Sequence, residues 1–153
     1  MNSMILCFQE TQTNNSPSKK LFSKFNFNMG HYVHNVFSCI QKNIDILATI
    51  FFWKDKVELV MSKVYVQMHA CIMNIYVAPF PSVSTVIETI SITKSQMIYN
   101  ECILIIVGDF NINIHANNQI SKQLMEYMHS QQLQEITNKS TPNISTQIDH
   151  IWI

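Results

Sequence analysis

Apolar residues fall into two rhythms along this chain. In the first half they come as short β-branched and aromatic runs separated by polar breaks. HYVHNVF (31–37), ILATIFFW (46–53), VELVMSKVYVQ (57–67) and HACIMNIYVAP (69–79) all read as strands. MILCFQET (4–11) predicts a short buried strand ending in polar residues, and QTNNSPSKK (12–20) predicts a loop from its clustered Asn, Ser and Pro. PFPS (79–82) ends the run, because two prolines cannot continue a central strand. The second rhythm is helical. Val86, Ile90, Met97 and Ile98 predict a helix over 84–99. Ile120, Leu124, Met128 and Leu133 form one stripe over 119–133, with Lys, Gln and Glu on the opposite face.

Between the two helices stands CILIIV (102–107), apolar throughout with no alternation. Such a run predicts a strand buried on both faces, as in a sheet covered by helices. QEITNKS (134–140) and TQIDHIWI (146–153) read as further strands. Strands mixed with two helices predict α/β or α+β layers. At 153 residues the chain is expected to be a single domain, 1–153.

Composition narrows this picture. Hydrophobic residues make up 47% of the chain and charged residues 13%, a balance that excludes a disordered segment. Ten lysines balance ten acids and there is no arginine. The chain therefore gives no electrostatic footprint for nucleic acid, which counts against a tight DNA binder. Cysteines at 7, 39, 71 and 102 form no C-x-x-C pair, so they predict reduced, mostly buried thiols and not a zinc site. No apolar run approaches the roughly 18 residues of a membrane span, and MILCF is too short for a secretory core. The expected compartment is intracellular, and nuclear if the chain acts on DNA.

One of only two glycines stands in VGDFNIN, directly after the CILIIV strand. Gly108 lets the backbone turn or approach a neighbour closely. Asp109 follows at the carboxyl end of a central strand, where ligand sites of open α/β sheets lie. Asn111, two residues on, faces the same way if the chain stays extended. A carboxylate holds a hard cation or takes a proton, and an amide donates to an anionic oxygen. The alternative, that the pair only caps a loop, stays open at this point. Glu10 in LCFQET ends an apolar strand and is a candidate ligand for a hard metal. Tyr76 ends another, before proline. Asp149 interrupts TQIDHIWI, and alternation puts His150 on the opposite face. His150 and His115 are thereby set aside as site histidines, the first by its face and the second by its place in a loop beyond the site.

The order Q-E-T, Y-x-x-P, G-D-F-N and S-T-x-I-D-H-I resembles the endonuclease/exonuclease/phosphatase superfamily, in particular the apurinic/apyrimidinic endonuclease-like domains of LINE-type and Helitron mobile elements. The resemblance implies a DNase I-like fold, an incomplete two-sheet β-sandwich flanked by helices. It implies a magnesium- or manganese-dependent hydrolase nicking DNA. Glu10 then matches the metal ligand, Tyr76 a contact to the scissile phosphate, Asp109 the group that positions the attacking water, and Asn111 a donor to phosphoryl oxygens. Asp149 matches an acid that steadies a catalytic histidine. The family's opening asparagine strand and closing S-D-H motif have no counterpart here, so the chain is expected to be truncated at both ends. A phosphomonoesterase or lipid phosphodiesterase of the same superfamily is a second enzyme reading, and a non-catalytic remnant or small interaction protein is the reading from another class.

Overall fold

A computed structural model describes residues 5–8, 25–29, 36–80, 82–97, 102–136 and 149–153. A three-stranded antiparallel sheet contains β1 (Ile5–Phe8), β2 (Phe25–Met29) and β3 (Phe37–Gln41), with β3 in the middle. A five-stranded sheet runs in the order β4 (Asp45–Lys54), β5 (Val57–Tyr65), β6 (His69–Val77), β7 (Ile103–Asp109) and β8 (Asp149–Trp152). Its first three strands are successive antiparallel neighbours, and β7 is antiparallel to β8. β6 and β7 are parallel. Parallel neighbours need a crossover, and helix α1 (Val83–Met97) lies within it. Helix α2 (Gln119–Ser130) lies between β7 and β8.

The two faces of the large sheet have different partners. Leu59, Met61, Met73, Ile75, Ile106 and Trp152 point toward the helices and form one core with Val86, Ile90, Leu124 and Met128. Val64 and Ile72 point the other way and pack with Ile40 and Ile44, so the smaller sheet covers this second face. Each fully buried aliphatic side chain contributes roughly 1.5–3 kcal/mol.

The predicted elements match in number and order better than in detail. The strands predicted over 46–79 are β4, β5 and β6. HYVHNVF falls largely outside the described residues, and the strand found nearby is β3, with Cys39 and Ile40 fully buried. β2 was not anticipated. CILIIV is β7, but only one face is fully buried: Leu104 and Ile106 are in the core, Ile105 and Val107 are half-buried and Ile103 is exposed. In α1 the predicted Val86, Ile90 and Met97 are buried. In α2 Ile120 is exposed and Ser121 is buried, because Asn118 and Ser121 close a reciprocal capping box that turns the helix start inward on its polar side. Leu133 is buried just beyond the helix end. Of QEITNKS, residues 137–140 lie outside the described residues, and 134–136 provide a short ladder: Gln134 and Ile136 donate to the Ile153 and Ile151 carbonyls at 2.7 and 2.8 Å. Among the described residues no helix is long and apolar enough to cross a membrane.

All four cysteines are free thiols. Burial pushes Cys7 and Cys39 up to about 11, and Cys71 up to about 12 with Cys102 beside it. The thiolate is the reactive form, so a raised pKa suppresses reaction at neutral pH. Native protein treated with iodoacetamide near neutral pH should therefore keep Cys39 and Cys71 unmodified by mass spectrometry, and urea should release both. Fast labelling of either in the native state would contradict this core.

Candidate active site

The registers of four strand pairs place a row of side chains across one end of the large sheet. Trp53 lies opposite Glu58, Glu58 opposite Tyr76, Tyr76 opposite Asp109, and Asp109 opposite Asp149. Directly opposed residues point to the same face. This row shares the face that carries Val64 and Ile72, at the carboxyl ends of β6 and β7. Three residues predicted from separate motifs, Tyr76, Asp109 and Asp149, thus stand side by side.

Gly108 makes that alignment possible. A Cβ built there would lie 1.8 Å from the Ile75 carbonyl oxygen, and the backbone has φ +155°. β6 and β7 approach each other too closely at this step for any other residue. Immediately afterwards the chain splits its side chains between two directions. Phe110 and Ile112 are buried in the helix-side core, while Asp109 and Asn111 belong to the other side. The Asn111 N–H donates to Asp109 Oδ1 at 2.8 Å, closing an Asx-type turn, and Asn111 takes φ +47°, which asparagine tolerates. Asn111 Nδ2 donates to the Val77 carbonyl at 2.7 Å and so ties this turn to the end of β6. An amide nitrogen carries two hydrogens, which leaves one for a ligand. Asp109 is buried at 8% exposure, whereas Asp149 is exposed.

His150 lies on the opposite face, as alternation along the strand predicts. It is 1% exposed, with Nδ1 3.1 Å from Glu135 Oε1 and Nε2 3.0 Å from the Ile112 carbonyl oxygen. Its ring also meets Phe110 edge-on, with centroids 5.3 Å apart. The histidine thus braces the Asp109–Ile112 turn from behind. His115 is in the following loop, where its N–H donates to Asn113 Oδ1 at 3.1 Å.

The smaller sheet meets this face one row deeper. Buried Asn74 donates to Ser38 Oγ at 3.5 Å, and Ser38 is 3.9 Å from Cys7 Sγ. Ile40, which packs with Ile72, pairs with Ile5, and Ser38 pairs with Cys7. β1 therefore runs from the Ile72 level toward the Tyr76 end of the large sheet. Glu10 itself lies outside the described residues.

Motif reading missed Glu58. Nothing local marks an acid inside VELVMSK; only the register with Tyr76 brings it to the row. The Ser38–Asn74 contact was missed for the same reason, since the two residues lie 36 positions apart.

Parallel pairing through an α1 crossover, helices on one face, a small sheet on the other and acids at the strand ends together describe a known architecture. The chain has the fold of the endonuclease/exonuclease/phosphatase proteins. It superposes on the endonuclease domain of TRAS1, a telomere-specific non-LTR retrotransposon, with TM-score 0.63 and 14% identity, covering 84% of this chain and 66% of that one. An endonuclease/exonuclease/phosphatase family protein from Bacteroides thetaiotaomicron gives 0.64 and 12%, covering 88% and 61%. The 3′ phosphatase NExo from Neisseria, bound to a product DNA hairpin, gives 0.65 and 11%, covering 97% and 75%. The chain thus spans somewhat under two thirds of the length of the first two. No protein-family model and no curated protein matches the sequence. Within the shared fold, the described residues contain no cluster of three or more His, Cys, Asp or Glu arranged to hold a metal.

The glycine gives a direct test of this geometry. Gly108→Ala should lose about 3 kcal/mol or more of stability, combining overpacking with backbone strain, read as a lower urea midpoint. An unchanged midpoint would mean that β6 and β7 do not approach as described.

Proposed function

We propose that the chain is a divalent-metal-dependent phosphodiester hydrolase of endonuclease type, a mobile-element domain that nicks DNA in the nucleus. The observation that carries this reading is the single row holding Tyr76, Asp109 and Asp149, with Asn111 tied to Asp109. The fold shared with the TRAS1 endonuclease domain and with DNA-bound NExo supports the reaction class. Residues 1–153 then belong to one domain, and the two sheets are parts of a two-sheet sandwich.

Oxygen donors suit magnesium or manganese, and magnesium needs only one or two carboxylates while keeping several waters. The row supplies such donors in Asp109 and Asp149, neighbours across β7 and β8, but with Glu58 two strands away they form no three-ligand cluster among the described residues, so an ion there needs a further donor from the chain. Glu10 is assigned as the metal ligand, supported by the course of β1 toward the Tyr76 end. When bound, such an ion supplies Lewis acidity and neutralises charge on phosphoryl oxygens. Asp109, fixed by the Asn111 N–H, positions and accepts a proton from the attacking water. The second hydrogen of Asn111 Nδ2 and the Tyr76 hydroxyl donate to the phosphate. Asp149 borders the same row as a supporting acid.

Supercoiled plasmid with Mg²⁺ tests this reading. The wild type should nick it, EDTA should stop the reaction, and Glu10→Ala and Asp109→Asn should be inactive. Asn111→Ala should lose roughly a hundredfold, the usual cost of one donor to a developing oxyanion. Equal nicking by wild type and Asp109→Asn would assign the cleavage to a contaminant. The second reading, a non-catalytic remnant or interaction protein, is favoured by the neutral charge and the lack of arginine. A folded wild type that never nicks would support it.

A further inference from the structure

The candidate row does not end at Tyr76. Through Glu58 it reaches Trp53 on the edge strand β4, and the indole shares the face of Tyr76 and Asp109. Adjacent strands are about 4.8 Å apart, so Trp53 stands roughly 10 Å from Tyr76 and roughly 14 Å from Asp109. Nucleotides advance about 3.4 Å along each strand of a duplex, so the gap is only a few nucleotides. Trp53 is 62% exposed, and Phe51, two residues earlier on the same face, is 44% exposed. An aromatic strip on solvent, continuous with a phosphate site, is suited to a ligand with flat apolar faces.

Charge decides which nucleic acid that is. Duplex affinity comes mainly from phosphate contacts to cations. This chain is neutral and has no arginine. The lysines at the β4–β5 turn are already engaged: Lys54 pairs with Glu88 at 2.8 Å, and Lys56 donates to the Pro79 and Phe80 carbonyls at 3.2 and 3.4 Å. Stacking on aromatic side chains provides affinity without cations, but only to a base whose face is not already covered by its neighbours.

We propose that Trp53, with Phe51 beside it, is a stacking platform for unpaired bases a few nucleotides from the cleaved phosphate, which makes single-stranded or locally unpaired nucleic acid the substrate class. The proposal rests on the hydrolase reading for the location of the phosphate, but stacking itself needs neither metal nor turnover.

The test uses the full chain in EDTA, titrated with a short single-stranded oligothymidylate or a blunt duplex of the same length. The other tryptophan, Trp152, is fully buried, so quenching of tryptophan fluorescence by DNA reports Trp53. The single strand should quench and the duplex should not. Trp53→Ala should raise the single-strand Kd about tenfold, equivalent to about 1.4 kcal/mol, with unchanged circular dichroism, and Trp53→Phe should restore most of the affinity. Equal Kd for wild type and Trp53→Ala, duplex binding as tight as single-strand binding, or no binding of either overturns the proposal. So does concentration-dependent self-association that Trp53→Ala abolishes, which would make this face an interface between copies. Quenching by the single strand in a protein that never nicks with Mg²⁺ leaves the platform standing and removes the hydrolase reading. Nicking with an unchanged Kd in Trp53→Ala does the reverse.

Discussion

Two backbones that nearly touch set the geometry of this molecule. Where β7 passes β6, a hydrogen takes the place of a side chain at Gly108, and the Ile75 carbonyl occupies the space a Cβ would need. A parallel pair is fixed in register by a crossover and by side-chain burial, and a slip of one residue would turn every side chain to the other face. Gly108 fits at one register only, opposite Ile75, and that register places Tyr76 beside Asp109. The candidate site is therefore a by-product of how tightly the sheet is packed at one step.

The division of labour between faces follows from the same register. Most side chains that point to the helices are apolar and buried, and His150, which faces the same way, is enclosed by Glu135 and the Ile112 carbonyl. The other face is buried and apolar around Ile72 and Val64, where the small sheet packs on it. Beyond the Asn74–Ser38 contact it becomes acidic and aromatic, in the order Trp53, Glu58, Tyr76, Asp109 and Asp149. A buried polar contact marks the boundary between packed and open surface, since an unsatisfied amide there would be costly.

Local sequence was enough to read some of this and not the rest. The unbroken CILIIV run, the glycine behind it and the alternating D-F-N-I were readable because strand burial and turn chemistry act within a few residues. The helical stripe of α2 was readable in Leu124 and Met128, and it failed at Ile120, where a capping box overrode periodicity. The longest apolar run, ILATIFFW, became the edge strand β4, with no residue fully buried. Which strand lies at an edge is decided by pairing between distant segments, and composition does not record it. Glu58 and Trp53 enter the row on the same terms.

The bracing histidine also has a consequence for how the chain matures during synthesis. The Asp109–Ile112 turn is steadied from behind by His150, and β7 gains its second neighbour only from β8. Some forty positions separate the two strands, a costly closure for a chain that folds as it emerges. Until residues 149–153 are made, the acidic turn has its glycine, its β6 contact and the helix-side packing of Phe110 and Ile112, but lacks His150 and the β8 neighbour. The candidate site therefore has its full set of supporting contacts only once β8 has joined the sheet.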